Sequence, residues 1–136
     1  MTDREPANTP TPIPLCGVDL IEVPRVRQAI ERHGERFLQR IFHADEIAYC
    51  QRKKHPWPNW AVRFAAKEAL FKAVRPGTLR HLIWREIYVA RHASGQPGLA
   101  FTGDTAARLE GWRFSLGLSH LRVLGFAVVI GVPGEA

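Results

Sequence analysis

The sequence is short of acid, of cysteine and of long apolar runs. Its 136 residues hold 13 Asp and Glu against 19 Lys and Arg, a formal net charge of +6. Two cysteines, Cys16 and Cys50, cannot build a disulfide framework, and no CxxC or Cys/His spacing suggests a metal centre. Both read as small buried hydrophobes. No apolar stretch suits a membrane span. No basic segment followed by an apolar one marks a secretory leader, so a cytoplasmic location is the expectation. No internal repeat is present. What remains is a chain with 46% hydrophobic and 24% charged residues, the balance of a soluble globular protein. That balance excludes a collagen-like repeat or a fully disordered chain. The length suits one domain, large enough to bury roughly two-thirds of its unfolded surface. The cationic excess admits nucleic acid, an anionic membrane, a phosphate-rich ligand or an acidic protein as partner.

Residues 1–14 carry Pro6, Pro10, Pro12 and Pro14 among Thr, Asn and Asp, the composition of an extended tail. The domain is expected over 15–136. Leu15 to Val23 reads as a strand, and Pro24 suits the first turn of a helix. Val26, Ile30, Phe37 and Ile41 recur at spacings of 4, 7 and 4, a helical stripe in which Gly34 is a bend or break. Asp45 to Lys53 suggests a short helix, His55 to Asn59 a loop, and Asn59 a cap for the next helix. That helix, Trp60 to about Val74, has no Gly or Pro and is rich in Ala, Lys, Glu and Leu. Trp60, Phe64 and Phe71 share one face, and Arg75-Pro76-Gly77 ends it. Strands are predicted at Ile83–Arg91, Leu99–Phe101, Arg113–Leu118 and Leu124–Val132. A turn is predicted at Ser94–Pro97 and a short helix at Asp104–Leu109. The fold class is α+β, with an antiparallel sheet packed against helices.

Two features stand out chemically. The segment RFAAKEALFKA, Arg63 to Ala73, packs three cations and one carboxylate into eleven residues. Glu68 and Lys72 are an i,i+4 pair, for which a solvated surface salt bridge is the plain alternative. Lys67, however, falls inside the apolar stripe, where a lysine must snorkel, find a partner or face a ligand. Asp19 lies in the apolar strand CGVDLI and, if buried, needs a partner, for which an arginine and a metal are the alternatives. Two carboxylates from separate elements with a lysine nearby suit Mg²⁺ and phosphate.

GVDLIEVPR (Gly17–Arg25), ERFLQRIF (Glu35–Phe42) and RFAAKEALFKA (Arg63–Ala73), in this order and at these separations, resemble the holo-acyl-carrier-protein synthases of the 4′-phosphopantetheinyl transferase superfamily. Further matches are Trp84–Ile87, Ser94–Pro97, Leu118-Ser119-His120 and Ala127–Ile130, so that the likeness spans roughly 16–131. The resemblance implies a single transferase-like domain. It also implies an enzyme of fatty acid and lipid metabolism that moves 4′-phosphopantetheine from coenzyme A to a serine of an apo acyl carrier protein, releasing 3′,5′-ADP. By the same likeness, Asp19 and Glu68 hold Mg²⁺, Lys72 faces the pyrophosphate, and Glu68 accepts the serine proton directly or through water. Arg63 matches an arginine of the coenzyme A phosphate region. Gly77, Ser119 and His120 match other cofactor-binding positions. Arg25, Arg36 and Arg40 match the basic surface that docks an acidic carrier protein. A homotrimer with active sites between subunits is implied too, and would account for apolar residues such as Trp57 and Trp60.

The chain departs from the family pattern at two places. Arg75-Pro76-Gly77 replaces a Gly-Thr-Gly turn, losing one N–H donor at Pro76, and Ser115 stands where a histidine is usual. Two rival readings follow. One is a degenerate homologue that binds carrier protein or coenzyme A without catalysis. The other is a basic module that stacks nucleic acid on Trp57, Trp60 and Trp84, although no nucleic-acid-binding signature is present. The favoured expectation has neither nucleic acid nor a membrane as partner. Ser119 and His120 are not a nucleophile dyad, because adjacent strand residues face opposite ways.

Overall fold

A computed structural model describes residues 14–74 and 82–134. The chain runs β1 (Leu15–Glu22), α1 (Val23–Ile41), α2 (Ala44–Gln51), α3 (Trp57–Val74), a 3₁₀ turn (Trp84–Glu86), β2 (Ile87–Arg91), β3 (Pro97–Phe101), α4 (Gly103–Arg108), β4 (Arg113–His120) and β5 (Leu124–Val132). The first strand pairs antiparallel with the last, giving a three-stranded sheet in the order β1-β5-β4; β2 and β3 form a separate hairpin. The tail reading for 1–14 and the Arg75-Pro76-Gly77 helix stop fall almost wholly outside the described residues.

Helix α3 lies across the inner face of the three-stranded sheet. Its small side chains Ala65, Ala66, Ala69 and Ala73 are buried there with Ala127 and Val129. Gly17 permits the approach. A Cβ at this position would overlap the Ala69 carbonyl oxygen and stand 2.6 Å from the Ala73 nitrogen. On its other side, α3 meets α1 and α2 in a second cluster, where Trp60 packs edge-on against Phe42 at 4.8 Å. Buried on nearly every side, α3 has two apolar faces, an aromatic one and an alanine one; only the first was expected from the sequence. Phe64 and Phe71 both pack against Trp84, at 5.3 and 4.9 Å.

Several sequence expectations need correction. The helix starts at Trp57, not Trp60, with Pro58 accommodated in its first turn. The His55–Asn59 loop is therefore shorter, and Asn59 caps nothing: it is helical, and its carbonyl accepts from Arg63. The strand predicted from Ile83 begins at Ile87. The preceding residues curl into the 3₁₀ turn, in which Glu86 N–H donates to the Ile83 carbonyl and Ile83 N–H to the Thr105 hydroxyl. Cys16 is exposed, since strand alternation turns it away from α3, whereas Cys50 is fully buried and burial pushes its thiol up to about 12. Trp60 is buried within one chain and so is no surplus apolar surface. With Trp60 buried and Trp84 held against two phenylalanines, the stacking platform for nucleic acid loses two of its three rings.

Gly34 breaks α1 as its composition suggested, with φ 60° and ψ −142° inside the helical run. Lys67 finds a partner: its ammonium, fully buried, lies 2.7 Å from Glu46 and also donates to the Trp84 and Ile87 carbonyls. Glu46 accepts in addition from the His43 and Val89 amides, which ties α2, α3 and β2 together.

Candidate active site

Asp19 sits opposite Ala127 on the inward side of β1, and so faces α3. Because Gly17 lets that helix close on the strand, the turn bearing Glu68 and Lys72 comes level with it. The Lys72 ammonium donates to Asp19 Oδ1 at 3.0 Å, so the partner left open for Asp19 is a lysine, not an arginine. Asp19 and Glu68 together line a cavity of about 460 Å³, with Arg25 on its rim and Phe37 and Phe64 as apolar wall. Burial, and next the negative charge of Asp19, push the Glu68 carboxyl above its usual range, while Lys72 opposes this. Two carboxylates that repel across one cavity are a donor set for a hard cation. Among the described residues no cluster of three His, Cys, Asp or Glu occurs. Two carboxylates could serve a hard cation only if water and substrate oxygens completed its shell.

Arg63 lies elsewhere. Five residues at about 100° each put it about 140° around α3 from Glu68. It lines a second cavity, of about 420 Å³, with Tyr49, Arg52, Arg91 and His120. Arg63 is 6% exposed; its guanidinium donates to the Asn59 carbonyl at 3.2 Å and lies over the Tyr49 ring, 4.3 Å from its centre. Its Nε is buried without a hydrogen-bond partner among the described residues, an arrangement that favours an anion in the cavity. The Arg91 guanidinium beside the Tyr49 hydroxyl, helped by Lys53 and Arg63, holds that phenol below its ordinary range against the effect of burial.

The other expected residues divide between these places. Arg25 joins the Asp19–Glu68 cavity, closer to the carboxylates than a pure docking role implied. Arg36 and Arg40 are exposed on the second half of α1, beyond the Gly34 break. His120 borders the Arg63 cavity, whereas Ser119 pairs with Phe126 on the outer side of the sheet and lines neither of these two cavities. Ser115 is exposed on that same outer side, opposite Ile130. Gly77 lies outside the described residues. Sequence reasoning missed Tyr49, Arg52 and Arg91. The basic run that starts at Arg52 was the available signal, but nothing local connects it to β2.

A sequence profile of the 4′-phosphopantetheinyl transferase superfamily matches residues 15–122. The chain belongs to that superfamily. This transferase is 42% identical over 117 residues to the holo-[acyl-carrier-protein] synthase of Koribacter versatilis, covering 84% of this chain and 94% of that one. Its fold matches the crystal structure of the holo-[acyl-carrier-protein] synthase of Neisseria meningitidis, with TM-score 0.76 at 28% identity over 87% of this chain and 97% of the other. It also matches a coenzyme A complex of the synthase from Chronobacterium ammoniagenes, with TM-score 0.76 at 25% identity over 91% and 99%. The transferase shares the α+β architecture of these enzymes. Among its described residues no helix is long and apolar enough to cross a membrane.

Proposed function

We propose that this chain transfers 4′-phosphopantetheine from coenzyme A to the serine hydroxyl of an acidic apo acyl carrier protein, releasing 3′,5′-ADP, as a cytoplasmic enzyme of fatty acid and lipid metabolism. One observation carries the reading: Asp19 and Glu68, from different elements, line one cavity with Lys72 bound to Asp19. Asp19 and Glu68 would hold Mg²⁺, which when bound polarises the pyrophosphate and offsets the charge of the departing 3′,5′-ADP.

The remaining steps belong to the chain's own side chains. Lys72 adds a point charge beside the pyrophosphate. The serine oxygen bonds to the phosphorus that bears pantetheine, and the bond from that phosphorus to the 3′,5′-ADP oxygen breaks. The serine proton passes to Glu68, directly or through water; a carboxyl held above its usual range is the better proton acceptor of the pair. Arg63, with its unpartnered Nε, binds a phosphate of the nucleotide end, and His120 lies beside it. Arg36 and Arg40 offer exposed charge to the acidic carrier, and Arg25, which lines the carboxylate cavity, adds charge beside the serine.

Arg63 and Glu68 lie in different cavities of one chain, which supports a homotrimer whose sites form between subunits. The outer sheet face supports it as well: Val18, Leu20, Phe126 and Ile130 are exposed there, an apolar surface that a second copy would cover.

Incubation with coenzyme A, Mg²⁺ and a panel of apo carrier proteins tests the reading, with carrier mass as readout. A phosphopantetheine adduct is expected on at least one carrier. Asp19→Ala and Glu68→Ala should each abolish the adduct while the melting transition persists. An intact rate in either variant removes that residue from the metal site, and absence of any adduct with the parent protein refutes the transferase reading.

A further inference from the structure

We propose that Tyr49 is a positioning residue for the nucleotide end of coenzyme A, acting through Arg63; this rests on the transferase reading above. Arg63 is almost fully buried, yet its guanidinium forms no ion pair with a described residue; among the described residues one hydrogen bond and one ring contact orient it. One is the carbonyl of Asn59, a turn earlier on its own helix. The other is the Tyr49 ring, 4.3 Å away. A guanidinium stacked on a ring spends its face on the ring and keeps its N–H donors in the free plane. Here Arg63 lines the cavity, and its Nε has no hydrogen-bond partner among the described residues.

The same ring gathers further charge. Lys53 lies 4.6 Å and Arg52 6.0 Å from its centre, and Arg91 lines the same cavity from β2. None of the three is in an ion pair with a described residue. Two acids are near. Asp45 is exposed on the rim, and Glu46 already serves Lys67, His43 and Val89. Such an excess of converging cations suits a phosphate dianion. Tyr49 keeps the one buried member of the group aimed at it, at little entropic cost on binding.

Steady-state transfer with coenzyme A as the varied substrate, and calorimetric titration with 3′,5′-ADP, test this in the full-length protein. Tyr49→Leu should raise KM for coenzyme A between about fivefold and thirtyfold, the range expected for loss of a desolvated cation–π contact. The kcat should stay within about twofold, because the reacting carboxylates lie on the other side of α3. Affinity for 3′,5′-ADP should fall in parallel. Tyr49→Phe, which keeps the ring face, should restore most of both. An unchanged KM in Tyr49→Leu, or a Tyr49→Phe variant as weak as Tyr49→Leu, overturns the proposal. Should Tyr49→Leu prove poorly folded, Tyr49→His and Arg63→Met in a double-mutant cycle replace it: non-additive losses are expected, and additive ones overturn the role. Failure of the parent protein to bind coenzyme A or 3′,5′-ADP at all is a different result, one that removes the transferase reading together with this one.

Discussion

Lys67 shows what a single residue can signal. A lysine among Trp60, Phe64 and Phe71 broke the helical pattern, so its need for a partner was legible. The partner, Glu46, was not, because twenty-one residues and a change of helix separate them. Burial lowers the Lys67 pKa and the Glu46 carboxylate opposes that, so the ammonium depends on the pair. Glu46→Gln should cost about 3–5 kcal/mol in a urea titration, the penalty for a buried charge left unpaired. Glu46→Gln combined with Lys67→Met, which keeps an acceptor for the His43 and Val89 amides, should recover part of that loss; if the double variant is no better than the single, the pair holds no such charge imbalance. Arg63 is the contrasting case. It too is buried, but it pairs with no carboxylate among the described residues, which is why the anion assigned to it is a ligand.

At the scale of elements, punctuation in the sequence decided which boundaries were legible. The strand Leu124–Val132 was readable to the residue, its alternation of small inward and larger outward side chains being unambiguous. The start of α3 was not, because Pro58 looked like a loop residue although proline fits a first helical turn. The packing of α3 on β1 depends on Gly17, whose missing side chain lets Asp19 reach Lys72 and share a cavity with Glu68. Gly17→Ala should therefore cost about 2 kcal/mol or more by denaturant unfolding, since a methyl there must displace backbone rather than a side chain. It should also depress transfer strongly in the fraction that folds. Parent-like activity would mean that helix and strand can separate without disturbing the carboxylates.

For the whole molecule, the outer face of the sheet and the split between the two cavities point the same way. Leu20, 63% exposed, sits opposite Phe126, 38% exposed. Leu20→Glu and Phe126→Glu should leave the single-chain core intact but shift the mass by light scattering from that of the proposed trimer to that of a monomer, with loss of transfer. A trimer that survives both substitutions would place the subunit contact elsewhere. What the sequence by itself determined was the superfamily, the α+β class and most elements, and it singled out the residues proposed for metal and phosphate. These are local matters of motif, periodicity and residue chemistry. Only the tertiary structure decided that Asp19 and Glu68 face one cavity, that Arg63 faces another, and that the Tyr49 ring lies against Arg63. Those relations follow from how α3 is rotated between the sheet and the helices α1 and α2, and that rotation is set by contacts between residues far apart in the chain.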